Sequence, residues 1–164
     1  MLFRSLSVIV VREATEEDAT VLARFMTAIN ELLGADNLPS PLDRAPENMN
    51  TSAERMRQRL QASAGVETAF LAEDGAIPAG FIALRLVPYL GQEVPYAEIT
   101  QLYVDPTYSG RGVGAALMSA AEDRSRERGC TSLHVLVWAS NEGGRKFYAA
   151  VGYEELYVGV EKFL

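Results

Sequence analysis

The chain holds a single cysteine, Cys130, and a single histidine, His134, among its 164 residues. One thiol excludes an internal disulfide and a thiolate metal cluster. One imidazole makes no metal site by itself. No apolar run approaches the roughly 20 residues of a membrane-crossing helix. Positive charge is also short: 15 Lys and Arg stand against 22 Asp and Glu, a formal net charge of −7. That balance speaks against a general nucleic-acid binder, whose field a basic patch would dominate. It leaves room for one small anionic ligand, because backbone amides hold an anion without net positive charge on the protein. With no thiol pair and no membrane segment, the cytoplasm is the expected location. Residues 1–11 are apolar, but Arg12-Glu13 follows at once and no small-residue cleavage site is present, so a first strand fits better than a signal peptide.

What is present is ordinary globular material, 48% hydrophobic and 23% charged, and long enough to close one core. The pattern predicts a strand over 8–12. A helix follows after Thr15, with the acids Glu16, Glu17 and Asp18 in its first turn. Val21, Leu22, Phe25, Met26, Ile29, Leu32 and Leu33 recur at helical spacing up to Gly34. Residues 35–50 carry three prolines and read as a loop, and Thr51 or Ser52 caps a second helix to about Ala64. A β-hairpin is expected over 68–72 and 80–87 around Asp74-Gly75, then an irregular insertion over 88–95. Further expectations are a strand over 97–104, a helix over 112–128, a strand over 132–138, a short helix over 142–151 and closing strand material over 153–164. The order is β-α-α-β-β-β-α-β-α-β, an α/β chain with a mixed sheet, and one domain over 1–164 is the simplest account.

The central feature runs Leu102-Tyr103-Val104-Asp105-Pro106-Thr107-Tyr108-Ser109-Gly110-Arg111-Gly112-Val113-Gly114-Ala115. A strand ends, Pro106 turns the chain, three glycines alternate and a helix begins. Glycines let successive N–H groups face one point, and the first amides of a helix lack internal partners and sit at its positive end. A diphosphate suits that arrangement, and Arg111 can add a full charge; a plain strand-to-helix turn is the bland alternative. The segment Gly110-x-Gly112-x-x-Ala115 formally matches the dinucleotide fingerprint, but the acid required about 20 residues on is absent. A phosphate loop of the nucleotide-hydrolase kind needs Lys and Ser or Thr after its last glycine, and Gly114 is followed by Ala115-Ala116. Just before the turn, Ala97 and Ile99 alternate with Glu98 and Thr100, and then Leu102 and Val104 are the apolar pair. This one-residue slip in a period-two pattern is the mark of a β-bulge. It would send Glu98, Thr100, Gln101 and Tyr103 to one side.

These residues, with Asn141, Phe147-Tyr148 and Gly152-Tyr153 downstream and Val11-Arg12-Glu13-Ala14-Thr15-x-x-Asp18-Ala19 at the start, resemble the GNAT superfamily of N-acetyltransferases over nearly the whole chain. Gly112 and Gly114 fit that family's signature, and Ser109 stands where it has Gln or Arg. The resemblance implies a GNAT-like fold with a bulged central strand and acetyl-CoA as cosubstrate, without a metal. It assigns the pyrophosphate to Ser109, Gly110, Arg111, Gly112, Val113, Gly114 and Ala115. It assigns the pantetheine arm to Leu102, Tyr103 and Val104, with backbone groups matching Leu102 and Val104 polarising the thioester carbonyl. Asn141, by local pattern an N-cap, matches a residue that also contacts the cofactor arm.

An amine must lose a proton before it attacks a thioester. Glu98 is the candidate base, directly or through water, with Glu93 as a weaker substitute. Tyr148 matches the family tyrosine that protonates the departing thiolate. Plainer readings stand beside both: a solvated strand carboxylate, and a tyrosine packing on the sheet. Arg145 and Lys146 could approach the phosphates or line a solvated helix face. Cys130 reads as a small buried residue rather than a nucleophile, so direct transfer is preferred, and His134 reads as a satisfied core histidine. The expected activity is transfer of an acetyl group to a primary amine, on a small molecule or a protein. A non-catalytic acyl-CoA sensor is the alternative. Asp36, Asp43, Glu47 and Glu93 suggest a cationic acceptor, and exposed strand and insertion surfaces could carry a homodimer.

Overall fold

The computed structural model describes residues 8–33, 51–62, 66–87 and 95–157. Within them five strands form one sheet: β1 (Ile9–Glu13), β2 (Glu67–Asp74), β3 (Ile77–Val87), β4 (Tyr96–Val104) and β5 (Leu133–Val135). They neighbour one another in sequence order. The first four are antiparallel, and β5 joins β4 in parallel. Helices α1 (Ala19–Leu33) and α2 (Ala53–Ala62) cover one face, α3 (Val113–Glu127) covers the other, and α4 (Glu142–Ala150) packs beside the start of α3.

Alternation along the strands sorts side chains between two cores. Phe70, Ile82, Leu84, Ala97 and Ile99 meet Val113, Leu117 and Met118 of α3. On the opposite face Leu71, Phe81 and Tyr103 meet Leu22, Phe25 and Met26 of α1 and Met56 of α2. The Phe25 ring stacks on Phe81 at 5.9 Å and tilts against Tyr103 at 5.1 Å. Such aromatic pairs fix α1 over the middle of the sheet more specifically than area burial alone does.

The entry to α1 departs from the expected simple cap. Glu16–Asp18 form a 3-10 turn, and only then does the α-helix begin. Asp18 bends back so that its Oδ2 accepts from the Thr15 backbone N–H at 2.8 Å. The Arg12 guanidinium donates to both Asp18 oxygens at 2.8 Å and to both Glu73 oxygens at 2.9 and 3.0 Å. One arginine thus ties β1, β2 and the start of α1 together. Ser52 caps α2, accepting from the Arg55 N–H at 3.2 Å.

The hairpin is longer than its sequence pattern suggests. Gly75 takes the left-handed φ of +63° at the turn, and β3 starts at Ile77 and runs through Pro78. A register shift after Ala72 and the position of Pro78 beyond the last β4 pair, Gly80↔Val104, explain how proline is accommodated there. At Gly80 itself β3 and β4 come so close that a Cβ would lie 2.5 Å from the Tyr103 carbonyl oxygen. No side chain fits there, so this glycine is required by packing rather than by its dihedral angles.

At the far edge one expectation needs correction, and a second lies largely outside the described residues. Strand β5 covers Leu133–Val135, not 132–138. It pairs with β4 along Ala97–Ile99, and among the described residues, 136–138 have no ladder to join and Leu136 is exposed. Residues 153–157 form no strand, and the remainder of the expected closing strand lies outside the described residues. So do the loop over 35–50, Gly34 and most of the 88–95 insertion.

The Arg12 guanidinium, and then the Thr15 N–H, hold the Asp18 carboxyl below the usual carboxylate range against the opposing effect of burial. Its folded pKa is therefore depressed, so its stabilising contribution is complete above about pH 4, the unfolded value, and fades as pH falls further. Asp18→Asn should lower the unfolding free energy by about 2 kcal/mol at pH 7. The gap from the unsubstituted protein should close towards pH 3, as read by urea unfolding at the two pH values. Gly80→Ala should cost about 3 kcal/mol or more, because the clash is with backbone; a change in melting temperature under about 2 °C would contradict the contact.

Candidate active site

The site is built around one extra residue. Ala83 of β3 pairs with Gln101 and Leu84 pairs with Ile99, so Thr100 is unmatched in the β3–β4 ladder. Its hydroxyl donates to the Ala83 carbonyl at 3.3 Å. This is the bulge that the slip in the hydrophobic pattern predicts. Leu102 and Val104 return to the face of Ala97 and Ile99, while Tyr103 turns to the α1 face. A bulge bends its strand and raises the local twist. The consequence appears on the other edge of β4, where pairing with β5 ends at Ile99↔Val135. Beyond it, residues 100–104 have no strand partner on that edge among the described residues. A backbone edge with free donors and acceptors therefore runs from the bulge towards the turn. Of the three strand residues expected at the pantetheine arm, Leu102 and Val104 only partly bury their side chains, and Tyr103 places its ring against Phe25. The Asp105 N–H bonds the Ala79 carbonyl of β3, and by alternation the Tyr103 main chain also turns to β3, which leaves the main chains of Leu102 and Val104 on the open edge.

The edge leads into the glycine turn. The Asp105 carboxylate caps a short 3-10 turn, accepting from the Thr107 N–H at 2.9 Å and the Thr107 hydroxyl at 2.6 Å. The amides of Ser109 and Arg111 are already engaged, donating to the carbonyls of Pro106 at 3.1 Å and Tyr108 at 3.2 Å. Gly110 and Gly112 take left-handed φ values of +72° and +80°, with Arg111 between them at negative φ. Alternation of this kind turns neighbouring N–H groups to a common side. The Ala116 N–H bonds the Gly112 carbonyl at 3.0 Å and so opens the α3 ladder. The amides of Gly112, Val113, Gly114 and Ala115 ahead of it are the donors that a helix start leaves over. The Arg111 side chain stacks on Tyr108 at 4.6 Å and bonds Asp74 at 3.1 Å. The main chain of 112–115 is thus the group of donors left without a main-chain partner at the turn, whereas the amides of Ser109 and Arg111 are spent within it.

Gly114 has a second reason to be glycine. A Cβ there would stand 3.0 Å from two atoms of the Phe147 ring. The start of α3 and the middle of α4 thus lie in contact. Helix α4 is capped by Asn141, whose Oδ1 accepts from the Gly144 N–H at 2.9 Å, and a Cβ on Gly144 would come within 2.7 Å of Nδ2 of that same Asn. The local role expected for Asn141 is the one observed. Arg145 pairs with Glu155 at 2.7 Å, and Lys146 lies 4.0 Å from Glu142, both at the surface.

Tyr148 is half-buried, edge-on to Phe147 at 5.3 Å and against Tyr153 at 5.7 Å. Burial pushes its phenol up to about 12, so the group carries its proton at neutral pH. Its hydroxyl has no protein partner among the described residues. The Tyr153 hydroxyl is buried and also without one among them. Burial raises the Cys130 thiol as well, against a role as nucleophile.

Glu98 stands on the α1–α2 face of β4 with its side chain 17% exposed. It has a partner that the sequence reading missed: the Arg85 guanidinium donates to both its oxygens at 3.2 Å. Arg85 is the only charged residue in β3, a signal visible in the sequence of that strand. The registers Glu67↔Arg85, Arg85↔Glu98 and Glu98↔His134 set four ionisable residues in a row across the sheet. Arg59 of α2 extends it, 3.5 Å from Glu67. His134 is half-buried on β5, the last strand of the sheet among the described residues, and belongs to neither buried core. Its nitrogens bond the Ser132 hydroxyl at 3.1 Å and the Tyr157 hydroxyl at 3.3 Å, and its ring lies 4.6 Å from that of Tyr96. Glu93 lies outside the described residues. No group of three or more acids, histidines or cysteines among the described residues is arranged to hold a metal. No helix among them is long and apolar enough to cross a membrane.

Comparison with known proteins gives the fold and the family. A Bacillus halodurans protein superposes with a TM-score of 0.77 over 94% of this chain and 99% of its own, at 21% identity, which speaks to the fold. An uncharacterised N-acetyltransferase of Methanocaldococcus jannaschii is 35% identical over 89 residues, which are 52% of this chain but only 38% of that relative's length. An aminoglycoside N(6')-acetyltransferase of Klebsiella aerogenes is 30% identical over 113 residues, 67% of this chain and 72% of its own. The model of the acetyltransferase (GNAT) family matches residues 29–153. A bulged strand that opens an edge, a glycine turn at a helix start and a tyrosine-bearing helix packed against it thus occur in a chain that belongs to the GNAT family of acetyltransferases.

Proposed function

We propose that this chain is a cytoplasmic enzyme that transfers the acetyl group of acetyl-CoA directly to a primary amine. The observation that carries the reading is the free β4 edge running straight into the unused amides of the α3 start. An extended amide-bearing chain lies along such an edge as a strand does, and a pyrophosphate is held by such a turn. Acetyl-CoA supplies both, together with a thioester as the activated acyl group.

Each residue has one task. The main chain of 112–115 binds the pyrophosphate. Leu102 and Val104 bond the pantetheine amides, and a donor of this edge polarises the thioester oxygen as negative charge develops on it. Glu98 accepts the proton of the incoming ammonium, directly or through a water, on the face where Arg85 holds it. Tyr148 gives its proton to the sulfur as the carbon–sulfur bond breaks. Burial keeps this phenol fully protonated at rest, so the proton is in place when the thiolate forms. The acceptor is an amine of a small molecule or a protein, as the aminoglycoside enzyme among the relatives illustrates.

Two measurements test this reading. Acetyl-CoA should titrate the protein calorimetrically, and thiol release should follow when an acceptor amine is added; binding without turnover across a broad amine panel would leave a sensor instead. Tyr148→Phe should lower kcat about 100-fold or more with little change in the KM for acetyl-CoA. A kcat within twofold of the unsubstituted enzyme would remove Tyr148 from the mechanism.

A further inference from the structure

Beside the bulge, on the α1–α2 side of the sheet, lies a cleft that the reaction as described does not use. Leu22 and Met26 of α1, Met56 and Leu60 of α2, and Phe81 and Ala83 of β3 line it. Polar groups line it as well: Arg59 and Glu67, paired at 3.5 Å, with Thr68 and Gln101. The room exists because the sheet presents Ala69 and Ala83 here rather than larger side chains. Ala83 is the register partner of Gln101, so the inner end of the cleft is level with the bulge. Arg85 and Glu98 lie two residues further along β3 and three along β4, on the same face of the sheet.

We infer that the acceptor amine carries a compact apolar group of about three to five carbons and seats it in this cleft, with its nitrogen towards Glu98. The inference rests on the transferase reading above and specifies its acceptor. The size follows from the free volume of about 40 Å³. A water-sized group needs about 10–15 Å³ on that measure, so roughly three such groups fit, the bulk of a short branched alkyl chain. The class follows from the lining. Each methylene moved from water into it should raise kcat/KM about fourfold. A hydroxyl placed against Met26, Met56 and Phe81 would find no partner and should lower it by about tenfold or more. Arg59 and Glu67 are paired with one another at 3.5 Å, so among the described lining residues a second ammonium meets only a carboxylate that already has a partner. An acceptor with several ammonium or hydroxyl groups, the class that the loop acids suggest, fits this lining poorly. The apolar group has two sources, a free alkylamine or the first side chain of a peptide, and the cleft chemistry is common to both.

The test is a kcat/KM series with acetyl-CoA on the unsubstituted protein, read by thiol release. Its first arm runs through ethylamine, propylamine, isobutylamine and isoamylamine, and its second pairs leucinamide with serinamide. Putrescine and kanamycin complete the panel. A rise of about fourfold per carbon in the first arm, or a leucinamide preference of tenfold or more in the second, supports the inference and says which source the enzyme uses. A flat series with no preference between the amides overturns it, as does putrescine or kanamycin turning over faster than every apolar amine, and in both cases the transferase reading stands. No turnover with any amine, while calorimetry still records acetyl-CoA binding, overturns the transferase reading and this inference together. In Ala83→Leu, which fills the cleft, the preference for isoamylamine over ethylamine should fall to about unity. A preference that survives in this variant places the apolar group elsewhere.

Discussion

Thr100 is one residue too many for the strand beside it, and the candidate site depends on that mismatch. With Thr100 unpaired, β4 keeps its full ladder to β3 but parts from β5 after three pairs. If β4 ran without the bulge, β5 could continue alongside it and cover the main-chain groups of 100–104. The bulge also resets the alternation, so that Ile99 and Leu102 both reach the α3 core while Glu98 and Gln101 both face α1 and α2. A single insertion in the ladder thereby opens one edge and lines the opposite face with the side chains that would meet an acceptor.

The rest of the architecture keeps this opening in register with the turn. Gly80 lets β3 approach the end of β4 more closely than any side chain allows, and Asp105 then bonds the Ala79 carbonyl at 2.9 Å. Gly114 brings α3 against Phe147, and Gly144 gives Asn141 room to cap α4. On the remote side, Arg12 joins β1, β2 and the start of α1 through two carboxylates. These contacts leave little slack between the sheet and the two helix starts that flank the gap. That stiffness suits a site whose donors are main-chain amides, because such donors cannot adjust by rotating a side chain.

Much of this was legible in the sequence, and for identifiable reasons. The slip between Ile99 and Leu102 located the bulge, because period-two alternation records which face each residue meets. The turn at 109–115 was plain from its alternating glycines. What the sequence could not separate was why each glycine is there. Gly110 and Gly112 answer to φ, whereas Gly114 answers to the Phe147 ring, and only coordinates tell those causes apart. The length of β5 was misread because residues 133–138 are apolar enough for a strand, but pairing depends on whether a neighbour is present. His134 was read as a core residue from its apolar flanks, but it is half-buried and bonds the hydroxyls of Ser132 and Tyr157. Arg85 was overlooked because its importance lies in its register with Glu98, thirteen residues away. Asp18 was read as an acid suited to a helix start. Its bond to Arg12 came only from the turn that folds it back.

The charged row across the sheet has a consequence for how an acceptor arrives. Arg59, Glu67, Arg85 and Glu98 alternate in sign and sum to zero. The field of such a quadrupole-like arrangement falls off much faster with distance than that of a lone carboxylate. An approaching ammonium therefore feels little pull from this row until it is within contact range, where Arg85 already competes for the same two oxygens. Long-range attraction at this protein belongs to its overall charge of −7 and acts alike on all cations of the same charge. Discrimination between one monoamine and another is then left to shape and desolvation, and should change little with ionic strength.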